Sequence, residues 1–174
     1  MNRKQALKFT EIYDKYYILV YSTVYTKVSN EADANDISQE VFIRMYNKMD
    51  EIEDYKKWLY GTLKLVVFEY YRSKKKNEST DIDEIFNDVA LTFVNGMRES
   101  RIIIESAFKQ LEGMLTEEEQ MVFELVAFFN YSYKETAVHT GLTKRKVEYR
   151  YRNIVSKVMD ILKKQGINSL EELL

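Results

Sequence analysis

Residues 132–153, SYKETAVHTGLTKRKVEYRYRN, contain the most specific local pattern in this chain. Ala137, Gly141 and Val147 have the spacing of a helix-turn-helix. That motif needs a small residue where the helices approach, a turn residue that tolerates positive φ, and an apolar residue that docks the second helix. Thr143 is suited to cap the second helix, because its hydroxyl can accept a hydrogen bond from a free backbone N–H. The stretch therefore predicts a helix-turn-helix.

The second helix of this motif is strongly basic. Residues 143–165 contain eight basic and two acidic side chains. Phosphate neutralisation dominates the affinity of proteins for DNA, so this charge favours DNA binding over an ordinary solvated helical hairpin. The candidate DNA-binding residues of this helix are Lys144, Arg145, Lys146, Arg150 and Arg152.

The chain as a whole predicts an all-α fold. It has no proline and only five glycines, so the turns that strands require are scarce. Apolar residues recur at three- and four-residue spacing, which is typical of amphipathic helices. The pattern predicts helices over residues 8–27, 31–49, 58–75, 98–113, 116–129, 133–140 and 143–164.

Composition excludes several classes of site. The chain has no cysteine and a single histidine, which excludes disulfides, thiolate metal sites and multi-histidine metal sites. It shows neither a nucleophile paired with a base nor a glycine-rich phosphate loop, so we expect no enzyme activity and no cofactor. The chain lacks a signal peptide and a membrane-spanning apolar run, which predicts a cytoplasmic protein without membrane insertion.

A change in charge divides the chain. Residues 77–97 contain five acidic side chains and no lysine or arginine. We interpret them as an acidic linker, either disordered or with one short helix near residues 89–94. The prediction is two small helical domains, residues 1–76 and residues 98–174, joined by the linker at 77–97. Attraction between the acidic linker and the basic segments on either side predicts a compact free protein with masked DNA-binding faces.

Two further motifs lie in the first domain. They are EADANDISQEVFIRMYNKM at residues 31–49 and WLYGTLKLVVFEYYRSKKK at residues 58–76. Followed by the helix-turn-helix, they resemble the bacterial sigma factor family, in particular its small extracytoplasmic-function type. The resemblance covers residues 9–162, apart from the linker. It implies a protein that binds core RNA polymerase and directs promoter recognition and transcription initiation.

The resemblance also implies roles for individual residues. Asp36, Gln39 and Glu40 would contact the clamp helices of the polymerase, although a solvated polar helix face would look similar. The −35 element would be bound by the basic helix at residues 144–152, and an anti-sigma factor is left open as a third partner. The −10 element would be bound by Tyr55, Lys56, Lys64, Tyr71, Arg72 and Lys74, whereas Trp58 is better explained by core packing.

The chain departs from the family pattern at several positions. Glu148 stands where a lysine is usual in the recognition helix, Glu69 where an aspartate is usual, and Thr136 where an isoleucine is usual. These departures predict an unusual promoter preference. Two alternatives stay open: a helix-turn-helix transcription regulator that binds palindromic DNA as a dimer, and a degenerate sigma-like interaction protein without initiation activity.

Overall fold

A computed structural model describes residues 3–74 and 81–174 of the chain. The described residues contain no strand, which confirms the all-α prediction. The helices are α1 (Arg3–Val28), α2 (Glu31–Lys48), α3 (Tyr55–Lys74), α4 (Ile82–Asn95), α5 (Arg98–Lys109), α6 (Glu117–Ala127), α7 (Tyr133–Thr140) and α8 (Lys144–Lys164). Short 3₁₀ turns lie at Met49–Glu51, Glu112–Met114 and Leu170–Leu173.

Polar side chains cap the starts of several helices, where the chain changes direction. Thr116 and Glu119 form a reciprocal capping box at the start of α6, and Ser132 and Glu135 form another at the start of α7. Gly141 ends α7 with a φ of 71°, in the left-handed region that favours glycine. The Thr143 side chain accepts a hydrogen bond from a backbone N–H in the first turn of α8. The helix-turn-helix boundaries predicted from the sequence are therefore confirmed.

A row of aromatic rings runs along α1. Tyr13, Tyr17, Tyr21 and Tyr25 recur every four residues, and consecutive ring centroids lie 4.9, 5.9 and 6.1 Å apart. Phe42 of α2 packs against the first two rings, with centroid distances of 4.8 and 6.2 Å. These contacts, together with the buried apolar face of α2, hold α1, α2 and α3 as one packed unit.

Helix α4 differs most from the sequence prediction. The short helix expected near residues 89–94 is longer, and residues 88–95 of it are buried. Its acids favour the helix, because Asp81 caps it while Asp83 and Glu84 lie at the positive end of its dipole. The apolar side chains between and beyond these acids then form part of the core. Residues 77–80 of the predicted linker lie outside the described residues.

The second half of the fold surrounds an aromatic cluster. Phe108 of α5 stacks on Phe123 of α6 with a centroid distance of 4.3 Å, and Phe123 stacks on Tyr151 of α8 at 5.6 Å. The buried Asn95 side chain at the end of α4 donates a hydrogen bond to the carbonyl oxygen of Ala127. Helix α4 thus joins both halves, since it also packs against α1, α3 and α8. No helix among residues 3–74 and 81–174 is long and apolar enough to cross a membrane.

Candidate functional site

Helix α2 presents the predicted polymerase-binding face to solvent. Asp36 and Gln39 are exposed and Glu40 is half-exposed, whereas the opposite face of the helix is buried. Glu40 accepts a hydrogen bond from Arg44 at 2.7 Å, and Arg44 also pairs with Glu69 of α3 at 2.7 Å. The hydrogen bonds to Glu69 and Glu40 raise the pKa of Arg44. This pairing holds the Glu40 side chain in place on the same helix face as the exposed Asp36 and Gln39.

The first half of α3 is partly covered. Tyr55 is half-buried, and its hydroxyl donates a hydrogen bond to the carbonyl oxygen of Met49 at 2.9 Å. Lys56 is half-buried and donates to the carbonyl oxygen of Leu174. Lys64 lies over the ring of Tyr60, with the ammonium nitrogen 4.1 Å from the centroid. Three of the predicted −10 residues are therefore engaged within the protein.

The 3₁₀ turn at Leu170–Leu173 affects the pKa values of two side chains of α3. Burial, followed by the charge of Glu171, raises the pKa of Tyr60 to about 12. Burial lowers the pKa of Lys64, and Glu171 opposes that shift. Leu170 is buried, and Ser100 donates a hydrogen bond to the carbonyl oxygen of Leu173 at 2.5 Å. This turn therefore places its acid near Lys64, one of the predicted DNA-binding residues of α3.

In the second half of α3, one of the three predicted −10 residues is buried, contrary to the prediction. Arg72 and Lys74 are exposed, as a DNA-binding face requires, and Lys74 lies 3.7 Å from Asp33. Tyr71 is only 7% exposed, and its hydroxyl donates a hydrogen bond to the carbonyl oxygen of Lys27 at 3.0 Å. Tyr71 does not present its ring to solvent, because its turn of the helix faces α1.

Helix α8 divides its predicted DNA-binding residues between two faces. Lys144, Arg145 and Lys146 are exposed in the first turn. Arg150 is half-exposed and forms an ion pair with Glu118 of α6. The side chain of Arg152 is only 9% exposed and points into the interior, contrary to the prediction that it lies on the DNA-binding surface. The basic side chains at the start of α8 are thus exposed, whereas the Arg152 side chain is not.

Arg152 belongs to a buried cluster of charges between the two halves of the fold. Its Nε lies 3.2 Å from Oδ2 of Asp88 on α4, and Nζ of Lys27 on α1 lies 2.5 Å from Oδ1 of the same carboxylate. Arg152 also pairs with Glu148, one turn earlier on α8, at 2.9 Å. The Tyr133 hydroxyl of α7 donates a hydrogen bond to Asp88 at 2.5 Å. We call these five side chains the Asp88 cluster.

The protonation of the Asp88 cluster follows from the groups that surround its central carboxylate. Burial alone would raise the pKa of Asp88, but Lys27, Arg152 and the hydrogen bond from Tyr133 outweigh it and hold that pKa below its ordinary value. Asp88 is therefore ionised. Burial lowers the pKa of Lys27, and Asp88 opposes this shift. Two cations and one carboxylate would leave a net positive charge, which the carboxylate of Glu148 offsets.

Comparison with known proteins assigns both halves of the fold. Residues 12–77 match Sigma-70 region 2, and residues 107–158 match Sigma-70 region 4. The chain belongs to the bacterial sigma factor family. In this sigma factor, α1–α3 form region 2, and region 4 runs from the end of α5 into α8. Helix α4, which contributes Asp88, lies outside both matches.

Two curated sigma factors of Bacillus subtilis (strain 168) are similar to this sigma factor. The ECF RNA polymerase sigma factor SigW is 30% identical over 107 residues, which is 60% of this chain and 57% of that protein. The RNA polymerase sigma factor SigZ is 24% identical over 140 residues, covering 79% of this chain and 77% of that protein. The first match supports the extracytoplasmic-function type that the motifs of this sigma factor indicate.

Sequence reasoning missed the Asp88 cluster in this sigma factor. Lys27 and Asp88 are 61 positions apart, so no local pattern connects them. A partial signal exists on α8, where Glu148 and Arg152 are four residues apart, next to the apolar positions Val147 and Tyr151. That spacing places both charges beside the buried stripe of the helix. The sequence indicated which side chains are exposed more reliably than it indicated the residues that hold the two regions together.

Proposed function

We propose that this sigma factor binds core RNA polymerase and directs it to promoters, without catalysing a reaction itself. The exposed α2 face with Asp36 and Gln39 contacts the polymerase. The exposed start of α8 contacts the −35 element in the major groove, as helix-turn-helix proteins do. The observation that supports this most strongly is that both surfaces are solvent-exposed, and each lies in the sigma region that the resemblance assigns to it.

The −10 element is bound by α3 in this proposal. Arg72 and Lys74 are exposed cations at its end, and Tyr55, Lys56 and Lys64 lie in its first half. Cations beside aromatic rings suit unpaired bases, because phosphates attract the cations and any base can stack on a ring. The protein acts in the cytoplasm, where polymerase and promoter DNA are both present.

Run-off transcription tests the proposal. Purified core polymerase is mixed with the protein and with a set of candidate promoter fragments, and core polymerase alone serves as the control. We expect co-purification with core polymerase and transcripts of defined length that require the added protein. A protein that binds palindromic DNA as a dimer and never associates with polymerase would instead be a helix-turn-helix regulator. Polymerase association without transcripts from any fragment would indicate the degenerate, interaction-only alternative.

A further inference from the structure

The two promoter-binding helices touch each other in this structure. The guanidinium carbon of Arg152 on α8 lies 5.6 Å from the ring centroid of Tyr71 on α3. The −10 and −35 elements are named for positions about 25 base pairs apart, which at about 3.4 Å per base pair is about 85 Å of DNA. Helices in side-chain contact cannot occupy both elements at once. On the proposed function, this is therefore a closed form that opens before it binds a promoter.

We propose that the Asp88 cluster is the latch that keeps this sigma factor closed. Its side chains come from region 2, from α4 and from region 4, so the cluster cannot persist when the regions separate. Asp88 is fully buried and contacts both cations and the Tyr133 hydroxyl. Removing this one carboxylate leaves Lys27 and Arg152 as like charges in the interior, where Glu148 still pairs with Arg152.

A buried ion cluster suits a latch because it is closely balanced. The cost of removing charged groups from water offsets much of their mutual attraction, so a complete cluster adds little net stability to the closed form. Polymerase binding can then open it at small cost. The loss of one member has a much larger effect, because its partners stay buried without compensation. Glu148, which replaces the usual lysine of the family, supplies the carboxylate that completes the cluster.

The closed form treats its two kinds of partner differently. It holds α3 against α8, so the −10 and −35 elements cannot be bound together, and it places Glu171 near Lys64. It leaves Asp36 and Gln39 of the polymerase-binding face exposed. The closed form is therefore competent for polymerase and impaired for DNA. This order of binding keeps the free protein from occupying promoters without polymerase.

The latch is tested with Asp88→Asn, and Asp83→Asn is the matched control. Both variants remove one negative charge from α4, but Asp83 is exposed. The chain has no cysteine, so spin labels can be placed at single cysteines introduced at Asn47 of α2 and Ser156 of α8, both exposed. We expect Asp88→Asn to shift the label distances to longer values and to raise the affinity of the free protein for promoter DNA about tenfold or more, because the competent fraction increases. Asp83→Asn should match the parent in both measurements.

The response to salt separates the latch from surface attraction. Screening weakens exposed charge pairs strongly and buried pairs much less. The label distances of the parent protein should therefore stay short as salt is raised, whereas a compact state held by surface acids would open. Parent distances that lengthen with salt to those of Asp88→Asn would overturn the proposal, as would a folded Asp88→Asn variant with parent distances and parent DNA affinity.

A milder variant covers the case in which Asp88→Asn does not fold. Tyr133→Phe removes only the hydroxyl that contacts Asp88, and Tyr131→Phe is its control outside the cluster. We expect Tyr133→Phe to lengthen the label distances in the same direction by a smaller amount. Unchanged distances in folded Tyr133→Phe would overturn the latch in that case. Absence of polymerase binding by the parent protein would refute the proposed function instead, and the label distances would still report on the latch.

Discussion

The contribution of the Asp88 cluster to stability can be measured through one hydroxyl group. Tyr133→Phe keeps the ring, which is fully buried, and removes the oxygen that donates to Asp88 at 2.5 Å and accepts from Lys27 at 3.3 Å. Hydrogen bonds to charged groups contribute about 1.5–3 kcal/mol, and phenylalanine introduces no new polar atom. We expect the free energy of unfolding to fall by about that amount.

This loss is large enough to detect in two independent assays. For a chain of this length each kcal/mol corresponds to about 2–4 °C in Tm, so the midpoint should fall by about 3–12 °C. Urea unfolding followed by circular dichroism should give a lower midpoint. Tyr131→Phe, which alters a half-buried ring outside the cluster, should stay within about 0.5 kcal/mol of the parent. If Tyr133→Phe behaved like this control, the hydroxyl would not hold the cluster together.

Three further outcomes follow from the exposed surfaces and from the ionised carboxylate. Replacing Gln39 and Glu40 together by Ala should weaken core polymerase binding in a pull-down. The urea midpoint should stay near that of the parent because neither side chain is buried, and undiminished binding would refute the assigned face. Replacing Lys144 and Lys146 by Ala should flatten the dependence of log affinity on log salt by about two slope units for the polymerase complex on promoter DNA, and an unchanged slope would mean that these lysines do not contact phosphates. The pKa of Asp88 lies below its ordinary value of 3.8, so the stability that Asp88 contributes is complete above pH 3.8 and is lost as the pH falls below it. Acid titration of the label distances should therefore show an opening step below pH 3.8 that Asp88→Asn lacks.

The helix-turn-helix was predictable because its determinants are local. A glycine in the turn, a hydroxyl at the N-cap and apolar residues at helical spacing act within a few residues of one another, and the structure places Gly141 and Thr143 as expected. The exposure of Asp36 and Gln39 was predictable for a similar reason, because the apolar stripe of α2 fixes which face turns outward.

Helix α4 was harder to predict because two signals compete in it. The acids of residues 81–88 favour a solvated linker, whereas the nearly continuous apolar run at residues 89–94 favours a buried helix. The buried face also includes Ile85, which with Val89 and Phe93 forms a four-residue repeat. The five acidic side chains of residues 77–97 favoured the linker interpretation over the buried helix that this repeat indicates. Asp88 lies in the interior because Lys27 and Arg152 compensate it there, and no pattern within the segment could reveal partners from distant helices.

The division of α8 into two faces bears on attempts to retarget this protein to new promoters. An engineer who grafts a recognition helix from a relative would choose residues by their contacts with base pairs. A graft that places a lysine at position 148 would replace Glu148, the partner of Arg152, and bring a third cation beside Arg152 and Lys27. The outward residues of the first turn, Lys144 to Lys146, can be exchanged without this consequence. Retargeting through them would change promoter choice alone, whereas a whole-helix graft would also change the arrangement of the protein before it meets polymerase.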